Sequence, residues 1–303
     1  MEDIGFIIIN FNTSEYTVNC VKSIIKHTSP KIKYKIIIID NNSRNGDYLN
    51  LRKLEDIDNI VLFRNKINIG FAGANMLGIQ FCNPKYYYFL NNDTLLLNDC
   101  ASILLRFLER NVKVGICSGQ MYDENQSLGI NFNYFPDLKL KLIGSNILRL
   151  FSPADYPKKG LHYKNPLRVQ VLNGSSLFTR ANIFNDIGGF DTSLFLYCEE
   201  EDICLRMKKA GYSCYLLSEA RYIHFTSKSS SLDQGINFDM LKEFFISQHI
   251  LYKKHYGRFS SYIWRLTQFF RSFRKLFADR RYINLAFFIL FGPDSKYSLR
   301  YKQ

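Results

Sequence analysis

Residues 36–43 read IIIIDNNS: four consecutive isoleucines that stop abruptly at an aspartate, two asparagines and a serine. A short, continuous β-branched run suits a strand buried on both faces, as in parallel sheets covered by helices. The same pattern occurs on either side of it. Residues 6–9 (FIII) end in Asn10-Phe11-Asn12, and residues 86–90 (YYYFL) end in Asn91-Asn92-Asp93-Thr94. Between the first two runs, residues 14–27 place Val18, Val21, Ile24 and Ile25 on one helical face, with Pro30 shortly beyond. Residues 98–110 repeat the helical spacing through Ile103, Leu104, Phe107 and Leu108. Strand, helix and strand in alternation predict an α/β fold with a doubly wound, mostly parallel sheet. Its three polar strand ends should share one rim, where a ligand binds.

Beyond that block, residues 120–170 lose periodicity and are read as long loops and short elements over the sheet, a common place for substrate specificity. A strand at 169–172, a Gly174-Ser-Ser turn and a helix near 180–187 follow. Another helix, 199–210, carries acids in its first turn and Lys208 and Lys209 in its last, with Gly211 as its stop. From about residue 236 the chain reads as helical, with breaks near Gly257 and Gly292-Pro293. The expected organisation is a main α/β unit at 1–236 and a basic, aromatic helical extension at 237–303.

The 303 residues are 47% hydrophobic and 16% aromatic, enough for a sizeable core and against wholesale disorder. The longest apolar stretch, near 282–292, is too short to span a bilayer. The first strand begins almost at once, so no secretory signal is expected. Seven cysteines without a CxxC pair read as reduced thiols in a cytosolic protein. Thirteen Lys/Arg and four Asp/Glu lie in 238–303, which places nine of the thirteen net positive charges there. Such a tail suits an anionic surface, membrane or nucleic acid; the plainer alternative is a solvated helical face.

No GxGxxG follows the first strand and no GxxxxGK[ST] occurs, which argues against a dinucleotide oxidoreductase or a P-loop NTPase. A diphosphate is then most simply held by a divalent cation on a carboxylate, and Asp93 is the strand-end acid suited to that task. An isolated NDT would more often be a turn leaving a strand. The later run Glu199-Glu200-Glu201-Asp202 changes the balance, because four adjacent acids repel unless they cap a helix or serve a site.

These stretches occur in one order: IIINFNTS, IIIIDNNS, NIGFAGANMLGI, YFLNNDT, GSSLFTRANIFNDIGGFDTSLFLYCEEEDICLRMKKAGY and IHFTSKSS. Together they resemble the family 2 glycosyltransferases of the GT-A fold, especially the bacterial rhamnosyltransferase-like branch, over roughly residues 4–260. The resemblance implies inverting transfer of a sugar from a nucleoside diphosphate donor, dTDP-rhamnose or a UDP-sugar, to a glycan hydroxyl. It implies that Phe11, Asp40 and Asn41 hold the nucleotide base and ribose, with Asn68, Gly70, Gly73 and Asn75 beside the nucleotide. Asn92 and Asp93 match the family's DxD motif, of which only the final acid is present here.

By the same resemblance, Asp93 ligates Mn²⁺ or Mg²⁺ and His224 completes the metal site. Glu200 falls where the family has its catalytic aspartate base, with Glu199 as the rival if the loop shifts. A lipid-linked glycan acceptor met at an anionic inner membrane face suits the basic tail. The tail aromatics, among them Phe244, Phe245, Tyr252, Trp264, Phe270, Phe273 and Phe277, could instead pack on the body or on a second copy. Two further readings, a nucleic-acid-binding protein and a sugar nucleotidyltransferase, account for less. The first leaves the acid cluster unused. The second lacks a glycine-rich, arginine-containing loop after the first strand.

Overall fold

The computed structural model describes residues 2–225, 237–275 and 279–302. Phe277 and the last residues of the IHFTSKSS stretch lie outside them. The first half runs β1 (Ile4–Asn10), α1 (Ser14–His27), β2 (Tyr34–Asp40), α2 (Asn45–Leu51), β3 (Ile60–Arg64), α3 (Gly70–Gly78), β4 (Tyr86–Asn91), β5 (Thr94–Leu96) and α4 (Cys100–Arg110). The middle contains β6 (Val114–Tyr122), β7 (Phe132–Asn133), α5 (Leu138–Ile143), α6 (Ser145–Phe151), β8 (Leu167–Val169) and β9 (Val171–Leu172). There follow β10 (Ser176–Arg180), α7 (Ala181–Asp186), α8 (Glu199–Lys209), β11 (Ser213–His224), α9 (Phe238–Arg274) and α10 (Arg281–Phe291).

The main sheet has the order β3-β2-β1-β4-β10-β6-β11-β5, with β8 beside β11. Strands β3, β2, β1 and β4 are parallel, as are β6 and β11; β10 runs antiparallel between β4 and β6. The isoleucine runs are continuous because both faces are covered. Phe6, Ile8, Ile36 and Ile38 pack with Val18, Val21 and Ile24 of α1 and Leu104 of α4. Ile7, Ile37 and Ile39 face the other way, against Ala72 and Ala74 of α3 and Ile203 of α8. The β1–β2 register pairs Asn10 with Asp40, so both polar strand ends reach the same rim.

The strand read at 169–172 is two strands in two sheets, since β8 pairs with β11 and β9 with β7. The break is at Gln170, whose side chain accepts from the Phe135 amide and donates to the Asp155 carbonyl. The C-terminal extension has its own small core. Helix α9 turns at Gly257 (φ 83°), and its second half folds back so that the Trp264 ring stacks on Tyr252 at 5.2 Å. With Phe245, Tyr282, Leu285 and Ile289 they form a buried cluster, so this part of the aromatic set is internal packing. Phe270, Phe273 and Phe287 remain exposed. Among the described residues, no helix is long and apolar enough to cross a membrane.

Candidate active site

Asn10 ties the rim together. Its amide donates to Asp40 Oδ1 (2.8 Å), Ser43 Oγ (3.0 Å) and Asp47 Oδ2 (2.8 Å), and its carbonyl accepts from Thr17 Oγ1 (2.7 Å). Asp40 is fully buried and also faces Arg64 Nε at 3.4 Å, so it organises the rim from behind. Asn41 works outward. It donates to Asn68 Oδ1 (2.7 Å) and the Gly70 carbonyl (3.2 Å) and accepts from the Ile69 amide (3.1 Å), which draws the 68–70 loop onto the end of β2.

Gly70 is required there for two reasons. Its φ is +78°, and a Cβ would lie 2.3 Å from the Phe195 carbonyl oxygen, which accepts the Phe71 amide at 2.8 Å. These contacts enclose a cavity of about 470 Å³, lined by Phe11, Asn41, Asn68, Gly70, Asn92 and Asp93 among others. Phe11 is 46% exposed, an aromatic face held open on the wall.

Gly73 and Asn75 do not line this cavity. Asn75 is buried and donates to the Phe71 carbonyl one turn back, and a Cβ at Gly73 would meet the Ile69 side chain at 3.3 Å. Both shape α3. Asn92 donates to Thr13 Oγ1 (2.7 Å) and Thr17 Oγ1 (2.9 Å), which fixes the β4 end to the start of α1.

Asp93 sits at the turn between β4 and β5. The antiparallel β5–β11 register sets Thr94 opposite His224, and the Phe225 amide donates to the Asp93 carbonyl at 3.0 Å. His224 Nε2 thereby comes within 3.1 Å of Asp93 Oδ1, with both side chains nearly buried. Adjacent donors on an octahedral Mg²⁺- or Mn²⁺-sized ion, with bonds of about 2.1 Å, stand roughly 3 Å apart, so the pair fits two corners of such a shell. The mixed carboxylate–imidazole set fits Mn²⁺ well. Among the described residues no third histidine, cysteine or acid joins them, so the other ligands would come from donor and water.

The acid run lies beside the cavity. Tyr197 (φ 74°) and Cys198 (φ 68°) are consecutive non-glycine residues in the left-handed region immediately before α8, a costly arrangement that concentrates at functional sites. Tyr197 lines the cavity. Glu199 is buried with its Oε1 unpartnered, and burial together with Glu200 holds its carboxyl well above the usual range. The Glu200 carboxyl lies over Gly174, where a Cβ would be 3.7 Å away, and burial raises it too. The next residue, Ser175, accepts the Asn91 amide at 3.0 Å, so Glu200 is one loop from the β4 end. Burial and Glu200 push Glu201 up to about 8, against the opposing pull of Lys141.

Asp202 differs from its neighbours. Arg206 (2.6 Å), Lys254 (2.7 Å) and His255 (2.7 Å) surround it; burial opposes ionisation, but these partners hold its carboxyl below the usual range. It is the anchor that joins α8 to α9. Sequence reasoning missed this anchor, and it also missed Met240, Leu299 and Lys302, which line the cavity from the C-terminal extension. Those three carry no local signal; only tertiary folding brings them to the rim.

The profile of Glycosyl transferase family 2 matches residues 6–174. The chain is similar to the rhamnosyltransferase WbbL of Escherichia coli (strain K12), 24% identical over 204 residues, 63% of this chain and 76% of that protein. It is similar to the dTDP-rhamnosyl transferase RfbF of Shigella flexneri, 21% identical over 241 residues, 76% of this chain and 72% of that one. Its fold matches GalNAc-T7, solved with UDP, GalNAc and Mn²⁺, at a TM-score of 0.57 and 16% identity, over 74% of this chain. The match spans 44% of the GalNAc-T7 chain, less than half of it, and at that identity it speaks for the GT-A-like fold alone.

Proposed function

The chain belongs to Glycosyl transferase family 2, and from that premise we propose that it transfers a sugar, with inversion, from a nucleoside diphosphate donor to a glycan hydroxyl in bacterial surface polysaccharide synthesis. The observation that carries this reading is the Asp93–His224 pair beside a cavity lined by Phe11, Asn41 and Asn68. Phe11 offers a face for the nucleotide base. The Asn41–Asn68 network presents amide donors and acceptors fixed in place, and Asp40 holds the neighbouring Asn10. A Mn²⁺ or Mg²⁺ ion on Asp93 and His224 would neutralise the charge of the departing nucleoside diphosphate.

Glu200 is the general base in this reading. Its raised pKa is the direction a carboxylate working near neutrality needs, and it faces the loop leading to the β4 end. Glu199, fully buried, is the rival. The similarity to two rhamnosyltransferases favours dTDP-rhamnose as the donor, with a UDP-sugar as the alternative. The acceptor is a lipid-linked glycan, met by residues 1–236 as catalytic unit while 237–303 rest on an anionic inner membrane face. Nucleic acid has no part in it.

A screen of dTDP-rhamnose, UDP-glucose, UDP-galactose and UDP-GlcNAc, with and without Mn²⁺, tests the proposal. The expected result is thermal stabilisation by one nucleotide class, and Mn²⁺-dependent release of its nucleoside diphosphate. Absence of both for every donor sinks it.

A further inference from the structure

Three residues of the C-terminal extension, Met240, Leu299 and Lys302, line the cavity, and the segment that carries the last two is held in place. Glu243 of α9 is 1% exposed, and its carboxylate accepts from Ser298 Oγ (3.0 Å) and the Leu299 amide (2.8 Å). Arg300 donates to the Thr192 carbonyl and lies over the Phe195 ring, 5.9 Å from its centroid. These contacts, from three parts of the chain, hold Leu299 and Lys302 on the cavity lining.

Among the described residues Lys302 is the one cationic side chain on that lining, as Asp93 is the one anionic one. Its ammonium pairs with Asp239 at 2.6 Å, but both side chains are nearly half exposed, 43% and 46%. A pair so open to water holds its partners weakly, so an incoming diphosphate can exchange for Asp239 at little cost. The charges also balance. A sugar nucleotide carries one negative charge on each of two phosphates. A divalent cation on Asp93 leaves one net positive charge, and Lys302 supplies the second.

We propose that Lys302 binds the diphosphate of the donor, with Glu243 as the residue that positions it. This assigns part of the donor site to the extension and rests on the donor-site reading above.

The test is calorimetric titration of the full chain with UDP and dTDP in the presence of Mn²⁺, and with uridine and thymidine. Lys302→Ala should weaken the preferred diphosphate about tenfold and leave its nucleoside within about twofold. Lys302→Arg should retain most of the affinity, and Asp239→Asn should tighten diphosphate binding by releasing the ammonium. Glu243→Gln should weaken diphosphate binding, and adding it to Lys302→Ala should cost nothing further, because both act through one contact. Diphosphate affinity within twofold of wild type in Lys302→Ala overturns the proposal, as does an equal loss for nucleoside and diphosphate. If the wild-type chain binds neither UDP nor dTDP, the donor-site reading fails first, and this inference with it.

Discussion

Asp93 and His224 meet through two separate pairings: the β4–β5 turn presents the aspartate, and the β5–β11 register delivers the histidine. Asp93→Ala deletes one corner of that pair. It is expected to lower turnover more than tenfold, at least about 1.4 kcal/mol of barrier, with circular dichroism unchanged. Retention of more than a tenth of wild-type turnover removes Asp93 from the metal role. Glu200→Gln should abolish transfer and spare donor binding, since only proton removal is affected, while Glu199→Gln should be milder. The opposite order of severity moves the base by one residue. The cluster also sets a pH dependence of stability. Glu201 is raised from an ordinary 4.5 to about 8, so the folded chain binds protons more tightly than the unfolded chain between those values. Stability from this group is fully present below about pH 4.5 and is lost as pH rises through about 8. Melting temperatures of Glu201→Gln should therefore fall less between pH 5.5 and 8 than those of the wild type; parallel curves would contradict the assignment.

Helices α8 and α9 are keyed together at Asp202, one of the contacts by which the extension grips the body. Lys254 and His255 come from α9 and Arg206 from α8 itself, so Asp202→Asn removes the buried carboxylate on which all three converge. The expected cost is on the order of 3 kcal/mol in urea unfolding, with faster proteolysis within 237–303. A change below about 0.5 kcal/mol would mean that apolar packing alone seats α9. What was legible in the sequence follows the same division between local and distant causes. Helix α1 could be read to the residue, and the three strand ends to one rim, because periodicity and abrupt polarity are properties of contiguous residues. The antiparallel insertion of β10 between β4 and β6 could not, since nothing in SLFTR states which strands will flank it. Asp202 read as no more than an acid in the first turn of its helix until folding brought His255 and Lys254 to it. Asn75 and Gly73 matched a motif, yet their side-chain positions serve the packing of α3.

At the scale of the molecule, the uneven charge of the sequence becomes a surface. The extension holds nine of the thirteen net positive charges, and its core withdraws Phe245, Tyr252 and Trp264 from any outside partner. Among the described residues, Phe270, Phe273, Phe287 and Phe291 are some of those that stay exposed, and Arg271, Arg274 and Lys275 lie in the same stretch of sequence as the first two. The latter three line a hollow of about 510 Å³ floored by Leu241 and Tyr282. Helix α5 joins this region, with Leu138 packed on the extension's core, and the α5–α6 pair adds exposed Leu142, Leu150 and Phe151. Exposed aromatic and aliphatic side chains among cations have the composition of a membrane-interface contact. Each Lys or Arg near anionic lipid contributes roughly 1 kcal/mol, so reversing two arginines should be enough to lose the attraction. The full chain is expected to float with vesicles containing a third phosphatidylglycerol at physiological salt, and to ignore vesicles of phosphatidylcholine alone. Arg271→Glu with Arg274→Glu should lower the bound fraction more than tenfold while the buried Trp264 core, and hence the melting temperature, is retained. Equal flotation of variant and wild type would assign the aromatic face to a protein partner or a second copy, and the acceptor would then have to be met in solution.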